Sequence, residues 1–278
     1  MTELIDLVEA LSLQFPDSSK RTLKQWIKWG RILVDGEPVT EFKVSKDARI
    51  EIAKKQLAPL HILYEDRWFI AIDKPAGLLS VPAERQHRSA LSLLREHFRS
   101  PHIYAAHRLD QDASGVLLFV RSELMREEMA RLFGSHDLER EYAAIVEGRL
   151  ASEEGDWSFP LEERDDFHVV VTSQGREAQT FYKRIKRTAC FSYLRLKLHT
   201  GRKHQIRVHT SHIGHPIIGD KRYGAIANPI RRLGLHAVRL AFTHPDTGKW
   251  IDIFSPLPKS FKTLGFPIDK VTRPHPQT

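Results

Sequence analysis

Apolar and polar residues alternate along this chain in two different rhythms. Between Thr22 and Trp29, Leu23, Trp26 and Ile27 recur at helical spacing, and the pattern stops at Gly30, a residue that closes helices without strain. The spacing predicts a short amphipathic helix. Lys20, Lys24 and Lys28 fall every fourth residue, so they share a face away from the apolar stripe, with Arg21 and Arg31 nearby. Ile32-Leu33-Val34 then meets Asp35-Gly36, a two-residue hairpin signal, and a second β segment closes at Arg49-Ile50-Glu51-Ile52. Lys54 to Pro59 reads as a linker.

From Ile62 onward short β-rich runs alternate with polar turns, as in Trp68 to Ile72, Val116 to Val120 and Tyr193 to Leu198. Helical patterning is clearest from Leu91 to His97 and from Glu123 to Phe133. Strands with interspersed helices predict an α+β class. The expected organisation is a small N-terminal α/β domain with its linker over 1–58, a large domain over 59–268, and a frayed tail over 269–278 that carries Pro274 and Pro276. No internal repeat and no low-complexity tract interrupts this.

Composition narrows the partners. Lys and Arg number 43 against 35 Asp and Glu, a formal charge of +8, which favours a polyanion through phosphate neutralisation. Cys190 is the only cysteine, so an internal disulfide is excluded and a reducing compartment, the cytoplasm, is expected. It lies among apolar and aromatic residues and is expected to be buried. The first residues have no basic segment ahead of an apolar run, and no stretch has the length of a membrane helix. No obligate protein partner is evident, and a monomer is the default expectation.

Two blocks carry the candidate chemistry. His107-Arg108-Leu109-Asp110-Gln111-Asp112-Ala113-Ser114-Gly115 places a carboxylate, Asp110, between a basic residue and a Ser-Gly turn just ahead of a buried strand. Leu198 to His209 supplies a Gly turn followed by donors and cations, without an acid among them. Together they suit a carboxylate acting on an anionic, hydrogen-bonding substrate. On residue type alone Asp110 also reads as an ordinary turn acid, or as one of an acid and base pair with Asp112 as in glycoside hydrolysis. Tyr142 reads equally as a core aromatic, Arg207 as a phosphate contact, and Lys74-Pro75 as a rigid turn. The histidines at 199, 204, 209, 212 and 215 invite a metal reading, but no cysteine lies among them and no His-Glu-x-x-His motif is present. Neither a phosphate-cradling Gly loop ending in Lys-Ser or Lys-Thr nor a Gly-x-Gly-x-x-Gly turn occurs, so neither a metal nor a nucleotide cofactor is expected.

These blocks resemble the pseudouridine synthases of the RluA type, whose signature is His-Arg-Leu-Asp, two variable residues, then Thr-Ser-Gly. This chain departs from it at Ala113, where Thr is usual. From about Leu60 to Pro258 the likeness extends to Asp73-Lys74-Pro75-Ala76-Gly77, to Arg140 to Gly148, and to Thr200 to His209. It closes on Leu235-His236-Ala237 with Phe242-Thr243-His244-Pro245. Residues from about Phe15 to Lys54 resemble the small S-four-like RNA-binding domain, on Ile27, Gly30, Val34, Gly36 and the final β segment. The bland alternative for that segment is an appendage whose lysines are a solvated face.

The resemblance implies a long, mixed and largely antiparallel central sheet with the cleft across its middle. It implies isomerisation of uridine to pseudouridine, with Asp110 acting on the ribose as nucleophile or as base. In the family the Arg matched by Arg207 pairs with that Asp, and the Tyr matched by Tyr142 stacks on the target uracil and assists the late proton transfer. The nucleotide is flipped into the pocket, and Arg108 matches the family's wedge that fills its place. RNA contacts are further expected from Lys20, Arg21, Lys24, Lys28 and Arg31, and from Arg202, Lys203 and His204. Large-subunit ribosomal RNA is the substrate class implied, with transfer RNA as the alternative. Two rival readings are a non-catalytic RNA-binding protein with the same fold and a hydrolase using Asp110 with Asp112.

Overall fold

The computed structural model describes residues 4–16, 18–28, 32–35, 37–39, 42–46, 48–52, 60–84 and 88–266. Gly30, Arg31, Gly36, the expected linker and the expected tail lie outside these. The chain divides into two compact units, 1–59 and 60–278.

In the first unit, strand β1 (Leu4–Asp6) leads into helix α1 (Leu7–Gln14). Asp6 caps that helix, its Oδ1 accepting from the amides of Val8 at 2.8 Å and Glu9 at 3.1 Å, which satisfies two donors that a helix start leaves open. Helix α2 (Lys20–Lys28) begins two residues earlier than its apolar spacing predicts, because Ser19 Oγ accepts the Thr22 amide at 3.2 Å. Leu23 and Ile27 are buried against Leu7 and Leu11, while Lys20, Arg21 and Lys24 are exposed. Strands β2 (Ile32–Val34), β3 (Glu37–Pro38), β4 (Lys43–Ser45) and β5 (Ile50–Ile52) follow. The turn at Asp35 joins β2 to β3, and β5 takes the other edge of β2. Asp35 reaches back to that edge, its Oδ1 accepting the Arg49 amide at 2.9 Å. Strand β4 pairs with β1.

The second unit opens with β6 (His61–Glu65), β7 (Phe69–Lys74), α3 (Ala90–His97), β8 (Tyr104–Ala105), β9 (Ser114–Val120) and α4 (Glu123–Ser135). It continues with β10 (Leu138–Glu147), β11 (Glu154–Ser158), β12 (Leu161–Glu163), β13 (Val169–Val171), β14 (Gln179–Arg187) and β15 (Phe191–Leu198). Helix α5 (Gln205–His212), a 3-10 turn (Lys221–Tyr223), β16 (Leu235–Thr243), β17 (Trp250–Phe254) and α6 (Lys259–Thr263) complete it. Ten strands form one sheet in the order β11-β14-β15-β10-β16-β9-β7-β6, with β17 added to β16 and β8 to β9. Pairing is antiparallel throughout except where β16 meets β9. This is the mixed, largely antiparallel α+β architecture expected.

Strands β7 and β9 are buried along their lengths because both faces are covered, which explains why they read as continuous apolar runs rather than alternating ones. One face packs Phe69, Ala71, Val116 and Leu118 on Met125 and Met129 of α4. The other packs Ile70, Ile72, Leu117 and Phe119 on Ala90, Leu91 and Leu94 of α3.

The parallel joint is short, His236 and Ala237 facing Ser114 and Gly115, before β17 takes over the edge of β16 from Arg239 onward. Gly115 makes the joint possible: its φ is +111°, and a Cβ there would stand 2.0 Å from the Ala237 carbonyl oxygen. The Ser-Gly of the first block is therefore fixed by backbone approach, and it anchors the loop that carries Asp110. Cys190, expected in the core, is instead exposed in the turn between β14 and β15. No helix among the described residues is long and apolar enough to cross a membrane.

Candidate active site

Asp110 stands in the loop ahead of β9, and several anchors hold that loop. Ser80 Oγ donates to the Leu109 carbonyl at 2.8 Å and accepts its amide at 3.0 Å. The Gly77 amide donates to the Gln111 carbonyl at 2.8 Å. Fully buried Lys74 directs its ammonium at three carbonyls, those of Leu78 at 2.7 Å and of Pro75 and Gln111 at 3.0 Å each. Burial pulls the Lys74 ammonium down to about 7. The Lys-Pro turn thus clamps the aspartate loop, as its rigid-turn reading anticipates. His107 Nε2 accepts the Leu118 amide at 3.1 Å, and burial holds that imidazole neutral, down to about 3.

The partner of Asp110 comes from α5. Arg207 Nη1 donates to Asp110 Oδ2 at 3.0 Å. Its Nε and Nη2 form a fork onto Asp220 at 2.7 and 2.8 Å, and its guanidinium lies 5.0 Å from the Tyr223 ring centroid. Burial opposes its charge, but the two carboxylates more than offset that and raise its pKa above the ordinary value. One buried cation between two carboxylates leaves the group with a net negative charge, held where Asp110 meets the cleft.

His204 completes the surround. It caps α5 from the left-handed region at φ 54°, and its Nε2 lies 3.8 Å from Asp110 Oδ1. The Tyr223 hydroxyl oxygen accepts the Val169 amide at 3.3 Å, which leaves its own proton for His204 Nδ1 at 2.7 Å. Nδ1 is then an acceptor, so the ring proton sits on Nε2, facing Asp110. Burial keeps this imidazole neutral, down to about 4.

Asp110, Arg108, Tyr142, Arg202, His204 and Arg207 line one cleft, together with Ala113 and Leu235. Tyr142 is half-buried on β10, and burial raises its hydroxyl pKa. Arg108 is exposed at the rim. Ala113, in place of the family Thr, is buried against the apolar cluster of Leu194, Leu196 and Ile206. Arg202 Nε donates to the Glu177 carbonyl at 3.0 Å. Lys203 points away, paired with Glu163 and 5.2 Å from the Phe167 ring centroid. Asp112 is exposed and outside the cleft lining, and its field acts on Lys74 and Arg232; the structure does not bring it to Asp110 as an acid and base pair. Of the N-terminal candidates, Lys20, Arg21 and Lys24 are exposed on α2, only the backbone of Lys28 is described, and Arg31 lies outside the described residues.

The remaining histidines are engaged separately. His209 Nε2 contacts the Phe159 carbonyl at 3.1 Å, His215 Nδ1 contacts the Glu147 carbonyl at 2.7 Å, and His212 packs edge-on to Phe159. Among the described residues no three His, Cys, Asp or Glu side chains gather as a metal site.

Sequence reading missed three supports. Asp220 and Tyr223 fix Arg207 and His204, and Gln205 ties the Thr200-Gly201-Arg202 turn down. Gln205 Oε1 accepts from Thr200 Oγ1 and the Arg202 amide, while its Nε2 donates to the Gln179 carbonyl and Thr180 Oγ1, all within 2.8–3.0 Å. The only signal for Asp220 was its place as the sole acid between Gln205 and Ala237.

A mixed sheet with a loop aspartate, an interior guanidinium and an aromatic at one cleft defines an α+β protein whose cleft is built around the Asp110–Arg207 pair. The profile of a family described as RNA pseudouridylate synthase matches residues 68–212. The chain is similar to the ribosomal large subunit pseudouridine synthase D of Xanthomonas campestris pv. campestris, 34% identical over 284 residues, covering 90% of this chain and 85% of that protein. Its likeness to the protein of the same name from Pasteurella multocida is 32% over 290 residues, covering 93% and 89%. Among solved structures, human RNA pseudouridylate synthase domain containing 1 superposes with a TM-score of 0.60 at 25% identity, over 72% of this chain and 84% of that one. The chain belongs to the RNA pseudouridylate synthase family.

Proposed function

We propose that this protein isomerises uridine to pseudouridine in structured RNA, with large-subunit ribosomal RNA as the substrate class. The observation that carries the reading is Asp110, with Oδ2 held by Arg207 and Oδ1 3.8 Å from His204 Nε2, in a cleft that Tyr142 also lines. The names of the relatives support the substrate class. The reaction needs neither redox chemistry nor an external group: the bond from ribose C1′ to N1 of uracil breaks, the base turns, and C1′ rejoins through C5. The C5 proton is lost and N1 gains one, so atoms and charge balance.

An ionised carboxylate at the ribose serves either as the nucleophile at C1′ or as the base that removes a ribose proton. Arg207 supports either role, since its Nη1 hydrogen bond at 3.0 Å fixes the orientation of the Asp110 carboxylate. Tyr142 offers a flat face for the flipped uracil, and Arg108 at the rim offers the side chain that replaces it in the RNA. Exposed Lys20, Arg21 and Lys24 on α2 support a docking role for the first unit on folded RNA. The reading includes a cytoplasmic, monomeric protein.

The test uses ribosomal RNA tritiated at C5 of uracil. Wild type should release label to water, whereas Asp110→Asn should bind RNA and release none. Release by Asp110→Asn would overturn the mechanism. No release by wild type from ribosomal or transfer RNA would favour a binding-only protein, and free uracil or a cut strand would favour a hydrolase.

A further inference from the structure

Three arginines of the second unit are buried to a similar degree: Arg140 at 7% exposure, Arg207 at 7% and Arg239 at 6%. Two of them are matched by carboxylates. Arg207 has Asp110 and Asp220, and Arg239 has Glu139, Glu141 and Asp252. Arg140 has no ion pair among the described residues. Its guanidinium lies 5.7 Å from the Phe133 ring centroid, its Nη2 makes one hydrogen bond, to the His199 carbonyl at 3.3 Å, and its Nε is buried without a hydrogen-bond partner. A buried guanidinium left this way is costly unless something anionic completes it.

The surroundings are positive as well. Burial, and then the charges of Arg140, Arg202 and His199, hold exposed His136 below its ordinary value, with Asp137 opposing them. The turn between β15 and α5 makes room for the guanidinium: a Cβ on Gly201 would stand 2.4 Å from Arg140 Nη1. Gly201 has no left-handed φ to explain it, so its missing side chain serves this approach. The cluster also borders the cleft. Arg140 precedes Tyr142 by two residues on β10, its charge acts on the Tyr142 hydroxyl, and Arg202 lines the cleft beside Tyr142.

We propose that Arg140, with Arg202, His199 and His136 around it, is a binding site for a backbone phosphodiester of the RNA next to the flipped nucleotide. This rests on the proposed function and adds to it the subsite that fixes the strand while the base is turned. The planar guanidinium suits a phosphate, and Arg202 and the two imidazoles supply further donors at the rim.

The experiment measures KM for label release from ribosomal RNA as salt is varied, in wild type, Arg140→Gln and the rim variant Arg202→Gln with His199→Gln. Arg140→Gln should raise KM about tenfold and flatten the slope of log affinity against log salt by about 0.7 to 0.9, one phosphate's share. Once the target uridine is mapped, a neutral methylphosphonate linkage beside it should weaken wild type to the same extent and Arg140→Gln hardly at all. Unchanged KM and slope in Arg140→Gln, or equal sensitivity of both proteins to the neutral linkage, would overturn the proposal. Should Arg140→Gln not fold, the rim variant reads the same slope and decides in its place. Should wild type release no label, the functional reading fails, and the salt slopes of RNA binding still decide this site.

Discussion

At the residue scale the site depends on a pair that sequence reading only half reveals. Asp110 and Arg207 stand in recognisable blocks, but Asp220, which holds Arg207 by two hydrogen bonds, follows thirteen residues later in a segment with no periodic signal. Its side chain is 1% exposed, so Asp220→Asn leaves the guanidinium with Asp110 alone in a dry setting. Removing one partner of a buried pair costs about 3–5 kcal/mol, and urea unfolding should show a loss of that size. Turnover should fall too, because Arg207 is then free to move onto Asp110 and change its orientation. His204 and Tyr223 were equally hidden as a unit: the direction of their hydrogen bond depends on the Val169 amide, contributed by a strand that periodicity does not announce. The candidate residues were legible in the chain, and the contacts that orient them across long sequence separations were not.

At the scale of elements, apolar runs that are buried on both faces were readable as strands, because β7 and β9 need no polar alternation. Helix α5 was not, since only Ile206 and Val208 are apolar in a segment whose Gln205, Arg207, His209 and Thr210 are buried through hydrogen bonds. Helix α2 was legible in its interior but not at its start, which Ser19 sets. The most exacting contact is the joint of β9 with β16. Gly115→Ala adds a Cβ at φ +111° and 2.0 Å from a carbonyl oxygen, so strain and a parted joint act together. We expect a loss of about 3 kcal/mol or more, read as a lowered Tm, with turnover reduced even in the folded fraction because the joint anchors the Asp110 loop. For α2, Lys20→Gln with Lys24→Gln should leave Tm unchanged, as both side chains are exposed. If the helix docks on RNA, the salt slope of binding should flatten by about 0.7 to 0.9 for each lost phosphate contact.

At the scale of the whole second unit, four histidines are folded in the neutral form, which fixes the sign of its response to acid. Burial lowers His107 and His236 to about 3 and His204 and His209 to about 4, against about 6.5 in an unfolded chain. Between those values the unfolded state binds protons that the folded state refuses, so stability is fully present above about pH 7 and falls as pH drops through 6.5. Each histidine contributes a slope of about 1.4 kcal/mol per pH unit, so the four together approach about 5 kcal/mol per unit near pH 5. Lys74, at about 7 in the folded state, is still taking its proton as this window opens; it adds slope of the same sign there and none near pH 5, where it is protonated in both states. A domain with an ordinary stability of about 5–15 kcal/mol is consumed within one to three pH units of such a slope. Circular dichroism should therefore show cooperative unfolding between about pH 6 and 4. Substituting the histidine whose ring is least engaged in the site, His209→Gln, should move the midpoint to lower pH if the amide occupies the place of the imidazole. A midpoint below pH 3 in the wild type would contradict the argument, since it requires these four groups to titrate alike in both states.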